Sequence, residues 1–198
     1  MAVYFHGSFG LNRSHMAGIL KLALNDPGLR DKELAKPFGY GAPFSAKYRS
    51  WLNKAGLAEM GYPLKLTPKG TVVWEKDPAL TSLTTQWFMH WELTQDPEKA
   101  EAWHFFVKEF LPGHASFTRQ DLLDGLAKKL SPHSMKHFGP GSKLNKVIAR
   151  KLIDCYTEES ALGALGLLRP DGKRWVYTPA DHSLGPWGDV EPLINAYA

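Results

Sequence analysis

Helix-length apolar periodicities, broken at Pro- and Gly-containing turns, run along most of this chain. Residues 14–25 place Met16, Ile19, Leu20 and Ala23 on one face. A short segment, 31–36, ends at Pro37. Residues 45–55 place Tyr48, Trp51, Leu52 and Ala55 on one face, with Ser45 as the expected N-cap and Gly56 as the stop. Leu57-Ala58-Glu59, a turn at Gly61 and Leu64 to Gly70 then read as strand, turn, strand. The stretches 80–93 and 97–111 are apolar on most sides, which predicts a buried helical hairpin rich in Trp87, Trp91, Trp103 and Phe106.

The pattern of the first 75 residues then recurs. Thr118 and Asp121 have capping-box spacing at the head of a helix running to about Leu130. A Pro- and Gly-rich loop leads to a helix over 142–156 with Leu144, Val147, Ile148, Leu152 and Cys155 on one face. Leu165 to Tyr177 reads as two strands around Asp171-Gly172, a hairpin signal. The expected fold is mainly α with small β-hairpins, as two winged-helix-like lobes, 1–75 and 116–178. The central helical hairpin spans 76–115, and a tail covers 179–198, packing through Trp187 or partly loose.

Charge follows this division. Residues 1–75 carry 10 basic and 5 acidic side chains, and 116–178 carry 11 and 6. Residues 76–115 carry 3 and 6, and 179–198 carry none and 3. Two basic lobes around an acidic middle suit a polyanion partner better than an evenly mixed surface does. The third helix of each lobe concentrates the signal. Lys47, Arg49, Ser50 and Lys54 lie mostly off the apolar face of one, and Lys143, Asn145, Lys146, Arg150 and Lys151 off that of the other. Such groups neutralise phosphates, and Arg or Asn also reads base edges. A solvated helix face is the bland alternative for each. Lys65, Lys69, Lys173 and Arg174 are candidate wing tips.

Other chemistry is thin. The single cysteine, Cys155, excludes a disulfide within the chain and falls on an apolar face. The eight histidines form no HExxH or His-x-His pair, and carboxylates are scattered, so no metal site is expected. No Walker motif is present. No apolar run reaches membrane-spanning length, and the first residues show no signal-peptide pattern, so a cytoplasmic location is expected.

Several segments carry a resemblance. They include His6-Gly7-Ser8-Phe9 followed by Arg13, Asp26-Pro27-Gly28-Leu29, Tyr48 to Leu52 running to Gly56-Leu57, and Leu66 to Gly70. They continue through Asp77 to Leu80, Trp87 to Trp91, Pro97 to Trp103, Phe117-Thr118, Lys151 to Tyr156 and Ser160 to Leu167. In this order they resemble the bacterial family catalogued as domain of unknown function four thousand and seven. That family is similar to components of phage-defence and DNA phosphorothioation gene clusters. Its members occur beside a sulfur-transfer enzyme and an ATPase. One member type, the B component of the Ssp system, is associated with strand-specific DNA nicking. After Arg13 the chain reads Ser14-His15-Met16-Ala17-Gly18, where the family tends to have Gly-Trp-Leu-x-Lys-Gly.

The resemblance implies a DNA-binding component of phosphorothioation-linked antiviral defence, with nickase activity one option. A non-catalytic adaptor and a regulator of the gene cluster stay open. The expected contacts are Arg13, Lys47, Arg49, Lys54, Lys143, Lys146, Arg150, Lys151, Lys173 and Arg174. Expected partners are double-stranded DNA, the sulfur-transfer enzyme and the ATPase, with a homodimer also open. No cofactor is identified, and magnesium or manganese enters only with nicking.

Overall fold

The computed structural model describes residues 2–180 and 192. Mainly helical, it holds nine α-helices and one three-stranded antiparallel sheet among those residues. Two compact units emerge, one from residues 5–93 and one from 2–4 with 94–180. The expected packing of Trp187 lies outside the described residues.

In the first unit, α1 (Arg13–Asn25) starts where the Asn12 side chain accepts from the His15 N–H at 3.0 Å. It buries Met16, Ile19, Leu20 and Ala23, the face its periodicity predicts. The short α2 (Asp31–Ala35) runs into a 3₁₀ turn containing Pro37. Helix α3 (Ala42–Lys54) begins three residues earlier than expected. Pro43 sits in its first turn, where a missing N–H costs nothing, and Gly41 is the N-cap. Ser45 is therefore not a cap but a fully buried residue inside the helix. Tyr48, Trp51, Leu52 and Ala55 are buried as expected. Gly56 follows at φ +77°, a left-handed position that favours glycine.

The predicted hairpin after α3 shrinks to one bridge, Ala58 with Leu66, flanked by Glu59 N–H to Lys65 O at 2.9 Å. The second strand does not continue through Gly70. Thr67 caps a helix instead, accepting from the Gly70 N–H at 2.8 Å, and α4 spans Pro68–Lys76. Thr-Pro supplied an N-cap and a first-turn proline, which outweighed the short alternation Leu64-Lys65-Leu66. Helix α5 (Leu83–Gln95) fully buries Phe88, Met89 and Leu93, while Trp91 is only half-buried.

In the second unit the helix expected over 97–111 is divided. Helix α6 (Pro97–His104) passes into a π-helical stretch, Phe105–Phe110, and then a 3₁₀ turn, Leu111–Gly113. Strand β1 (Ser116–Thr118) leads into α7 (Arg119–Leu130), capped by the Thr118–Asp121 box that the spacing predicts. A four-residue helix, α8 (Met135–Phe138), sits within the Pro/Gly-rich loop. Helix α9 (Lys143–Thr157) precedes the hairpin β2 (Leu168–Asp171) and β3 (Arg174–Tyr177). The sheet order is β1-β3-β2, with Phe117 opposite Trp175 and Pro170 opposite Trp175 on the other side. Trp103, Phe106, Phe117 and Tyr156 form a fully buried core. The Trp103 indole N–H donates to Cys155 Sγ at 3.5 Å.

Candidate nucleic-acid interface

Helix α9 is built for two faces. Its buried stripe is Asn145, Ile148, Ala149, Leu152, Ile153 and Tyr156, spaced three and four residues apart, with Cys155 beside it. Leu144 and Val147, expected in the core, are only half-buried at its edge. The opposite face presents Lys143, Lys146 and Arg150, all exposed. No carboxylate lies within 4.0 Å of these three cations among the described residues. Ser142 caps the helix, accepting from the Leu144 and Asn145 N–H groups at 3.1 and 3.2 Å.

Asn145 is a correction to the expected base-reading set. It is 2% exposed and its Nδ2 donates to the Phe138 carbonyl at 2.7 Å, tying α9 to α8. Lys151 also differs from its neighbours. Its side chain is 14% exposed and its Nζ lies 3.9 Å from Asp154 Oδ2. Arg119, absent from the expected set, is exposed at the first position of α7. Its Nη2 donates to the Lys146 carbonyl at 3.3 Å, which adds a cation beside the α9 face. Only the three-dimensional fold brings these two residues together, across 27 positions of sequence.

The β2–β3 hairpin turns at Gly172, φ +60°, with Lys173 exposed beside it. Arg174 is anchored to β1 rather than fully available. Its Nε donates to Ser116 Oγ at 2.8 Å and its Nη2 to the Ser116 carbonyl at 2.9 Å.

The basic residues of the first unit are more committed. Arg49 holds Asp31 through Nε–Oδ1 at 2.9 Å and Nη2–Oδ2 at 3.0 Å. The Tyr62 ring lies 4.0 Å from its guanidinium and 4.6 Å from that of Arg30. Hydrogen bonding to the Asp31 carboxylate, against the effect of burial, raises the Arg49 pKa. Burial, with the Asp31 carboxylate adding to it, pushes the Tyr62 hydroxyl up to about 12. Arg13 donates to the carbonyl of Leu80 at 2.8 Å, where Leu80 holds a left-handed φ of +55°. The Lys47 stem passes close over Gly7, and Lys54 is half-buried. Lys65 is exposed, but Lys69 is not a wing tip. It lies in α4 and pairs with Glu92 Oε1 at 3.2 Å.

Four of the described histidines pack or bond within the scaffold. His15 Nδ1 lies 3.0 Å from the Tyr48 hydroxyl, His104 Nδ1 lies 2.8 Å from the Thr94 carbonyl, and His133 Nε2 lies 2.8 Å from Glu101. His6 is fully buried beside Phe5 and Trp51. Among the described residues, no three His, Cys, Asp or Glu side chains converge as metal ligands would. No helix among them is long and apolar enough to cross a membrane. The Cys155 thiol, 1% exposed, is pushed up to about 12 by burial, as suits a core residue.

Residues 6–178 match the family model described as Protein of unknown function (DUF4007). The chain belongs to this family. No protein of curated function matches it. Two crystal structures share its fold. Magnesium-ion-bound SspB has a TM-score of 0.64 at 18% identity, and a second SspB structure has 0.62 at 16%. Both comparisons cover 91% of this chain and 60% of the SspB chain, so this DUF4007 chain spans well under the full length of SspB.

Proposed function

We propose that this DUF4007 protein is a DNA-binding component of phosphorothioation-linked defence, contacting duplex DNA through α9 and the β2–β3 hairpin. The supporting observation is the exposed row Lys143, Lys146 and Arg150 with no carboxylate partner among the described residues. Cations three and four residues apart share one helix face and meet successive phosphates along a groove. The order β1, α7, α8, α9, β2, β3 with sheet order β1-β3-β2 is that of a winged helix, whose last helix enters the major groove. Lys173 at the hairpin turn then serves as the wing contact. The likeness to SspB and the family membership support the defence role.

The first unit contributes less directly in this reading. Lys47 and Lys54 remain its contacts, whereas Arg49 and Arg13 hold the scaffold. A nickase would need a divalent metal, and the described residues supply no convergent ligand set for one. The exposed cation row suits binding that positions partner enzymes on DNA.

The test is charge reversal at Lys146 and Arg150 together, with binding measured on random and target duplexes. Both residues are exposed, so the circular dichroism of the double variant should match the parent. Loss of affinity on all sequences alike is expected for phosphate contacts. A folded variant that binds like the parent would overturn this assignment of the interface.

A further inference from the structure

An aromatic shelf stands open at the turn between α2 and α3. The backbone pins this turn. Gly39 holds φ +75°, its N–H donates to the Lys36 carbonyl at 3.1 Å, and the Tyr40 N–H donates to the Ala35 carbonyl at 3.3 Å. Such a pair of bonds is a left-handed helix stop, and it fixes the Tyr40 backbone. The Tyr40 ring stacks on Phe44 of α3 at 4.4 Å and 2°. Phe44 is 1% exposed, so the stack has a buried floor, while Tyr40 is 51% exposed. Phe9 is the other ring in contact with Tyr40 among the described residues, edge-on at 6.0 Å. A ring covering the outer face of Tyr40 would lie farther from Phe44 than from Tyr40. Phe9 lies nearer to Phe44, at 5.5 Å, so it flanks the stack and leaves the outer face uncovered. The residues on either side, Gly39 and Gly41, have no side chains to fold over it, and a Cβ at Gly39 would meet nothing within 4 Å.

Cations stand on the helix that leads into this turn. Lys32 and Lys36 are four residues apart on one face of α2 and its helical C-cap, and both are exposed. Neither has a carboxylate within 4.0 Å among the described residues. The acids of α2 are engaged elsewhere, Asp31 by Arg49 and Glu33 by the Arg30 N–H at 3.1 Å. An open aromatic face next to unpaired lysines fits a chain that alternates flat rings with negative charge. In a duplex the base faces are stacked on one another and only their edges are offered. An unpaired base offers its face, and stacking on an aromatic side chain is how single strands are held.

We infer that the turn between α2 and α3 binds single-stranded DNA, with one base stacked on Tyr40 and neighbouring phosphates on Lys32 and Lys36. The site lies within the first unit and shares no residue with the α9 row. The choice of DNA over RNA rests on the proposed function, and the stacking itself does not.

Fluorescence anisotropy of the whole protein with a labelled oligothymidylate tests it, alongside an oligouridylate and a DNA duplex of the same length. The oligothymidylate should bind. Tyr40→Leu should weaken it by about tenfold or more, the loss of one stacked base, and Tyr40→Trp should restore it. Circular dichroism checks the folding of both variants. Lys32→Gln with Lys36→Gln leaves the aromatic stack untouched. It should reduce the slope of log affinity against log salt by about 1.4 units, the share of two single-strand phosphates. Duplex binding should not change in Tyr40→Leu, and the Tyr40→Leu effect should persist in the protein charge-reversed at Lys146 and Arg150. A failure here is thereby separate from a failure of the α9 interface. The inference is overturned by no oligothymidylate binding at up to about 100 μM protein, by a folded Tyr40→Leu variant that binds it like the parent, by an equal loss on duplex, or by binding of oligouridylate alone. Dimerisation of the parent that Tyr40→Leu abolishes, with no oligonucleotide bound, would assign the shelf to a second copy of the chain instead.

Discussion

Arg49 grips Asp31 in a two-pronged contact, Nε to Oδ1 at 2.9 Å and Nη2 to Oδ2 at 3.0 Å, with side chains only 13% and 20% exposed. Burial raises the Asp31 pKa, but hydrogen bonding and the Arg49 charge outweigh it and hold the carboxyl below its ordinary value. A depressed carboxylate pKa stabilises the fold above the unfolded value of about 3.9 and loses that stabilisation as pH falls through the folded value. Asp31→Asn should therefore destabilise the protein by roughly 1.5–3 kcal/mol near neutrality. The deficit should shrink below about pH 4, where the parent loses the same interaction. Thermal melts of both proteins across this range check it, and a constant deficit would mean the pair does not titrate with folding.

Cys155 should resist thiol reagents in the native protein. It is 1% exposed, its thiol is pushed up to about 12 by burial, and the Trp103 indole donates to its sulfur. Reaction needs both the thiolate and access, so modification should follow unfolding. The check is labelling against denaturant. Fast labelling of the folded chain would contradict the buried placement.

Gly70→Ala should destabilise although alanine is the better helix former. A Cβ at this α4 position would overlap the Leu57 carbonyl oxygen, a backbone atom that cannot swing aside. Overpacking of this kind costs typically about 1–3 kcal/mol, more than the gain in propensity of up to about 1 kcal/mol. A rise in melting temperature would show that Leu57 and α4 separate freely.

Elements with a continuous local signal were legible in the sequence. The buried face of α1, the Thr118–Asp121 cap and the β2–β3 turn each depend on residues within one or two turns of chain. Strand β1 was not legible, because three residues carry no period and its pairing with β3 lies 56 to 60 residues away. The head of α4 was misread although Thr67-Pro68 is an N-cap followed by a first-turn proline. Among the site residues, periodicity placed Lys146 and Arg150 on the exposed side of α9. It misplaced Asn145, because a polar residue that bonds the Phe138 carbonyl looks the same in sequence as one facing water. Arg49 was expected among the DNA contacts, and its ion pair was not legible because its partner Asp31 belongs to another helix. Arg119 carried no signal until the fold set it beside Lys146.

That last contact separates a binding residue from a brace. Arg119 extends the cation row of α9 if DNA lies along Lys143, Lys146 and Arg150, and it also steadies the Lys146 carbonyl. DNA affinity of the parent should fall steeply with salt, because each neutralised phosphate releases counterion. With about five contacts, a rise from about 50 to about 200 mM salt should cost at least about 100-fold. Arg119→Gln keeps polarity and removes one charge. For a phosphate contact it should reduce the slope of log affinity against log salt by about one unit and weaken random and target duplexes alike. A brace behaves differently. It would leave the slope unchanged, because no counterion is released at that position, and would instead lower the melting temperature of the free protein. The two readouts move in opposite combinations, so a single variant measured for salt slope and for thermal stability assigns Arg119 to one role or the other. An unchanged slope with an unchanged melting temperature would remove Arg119 from both.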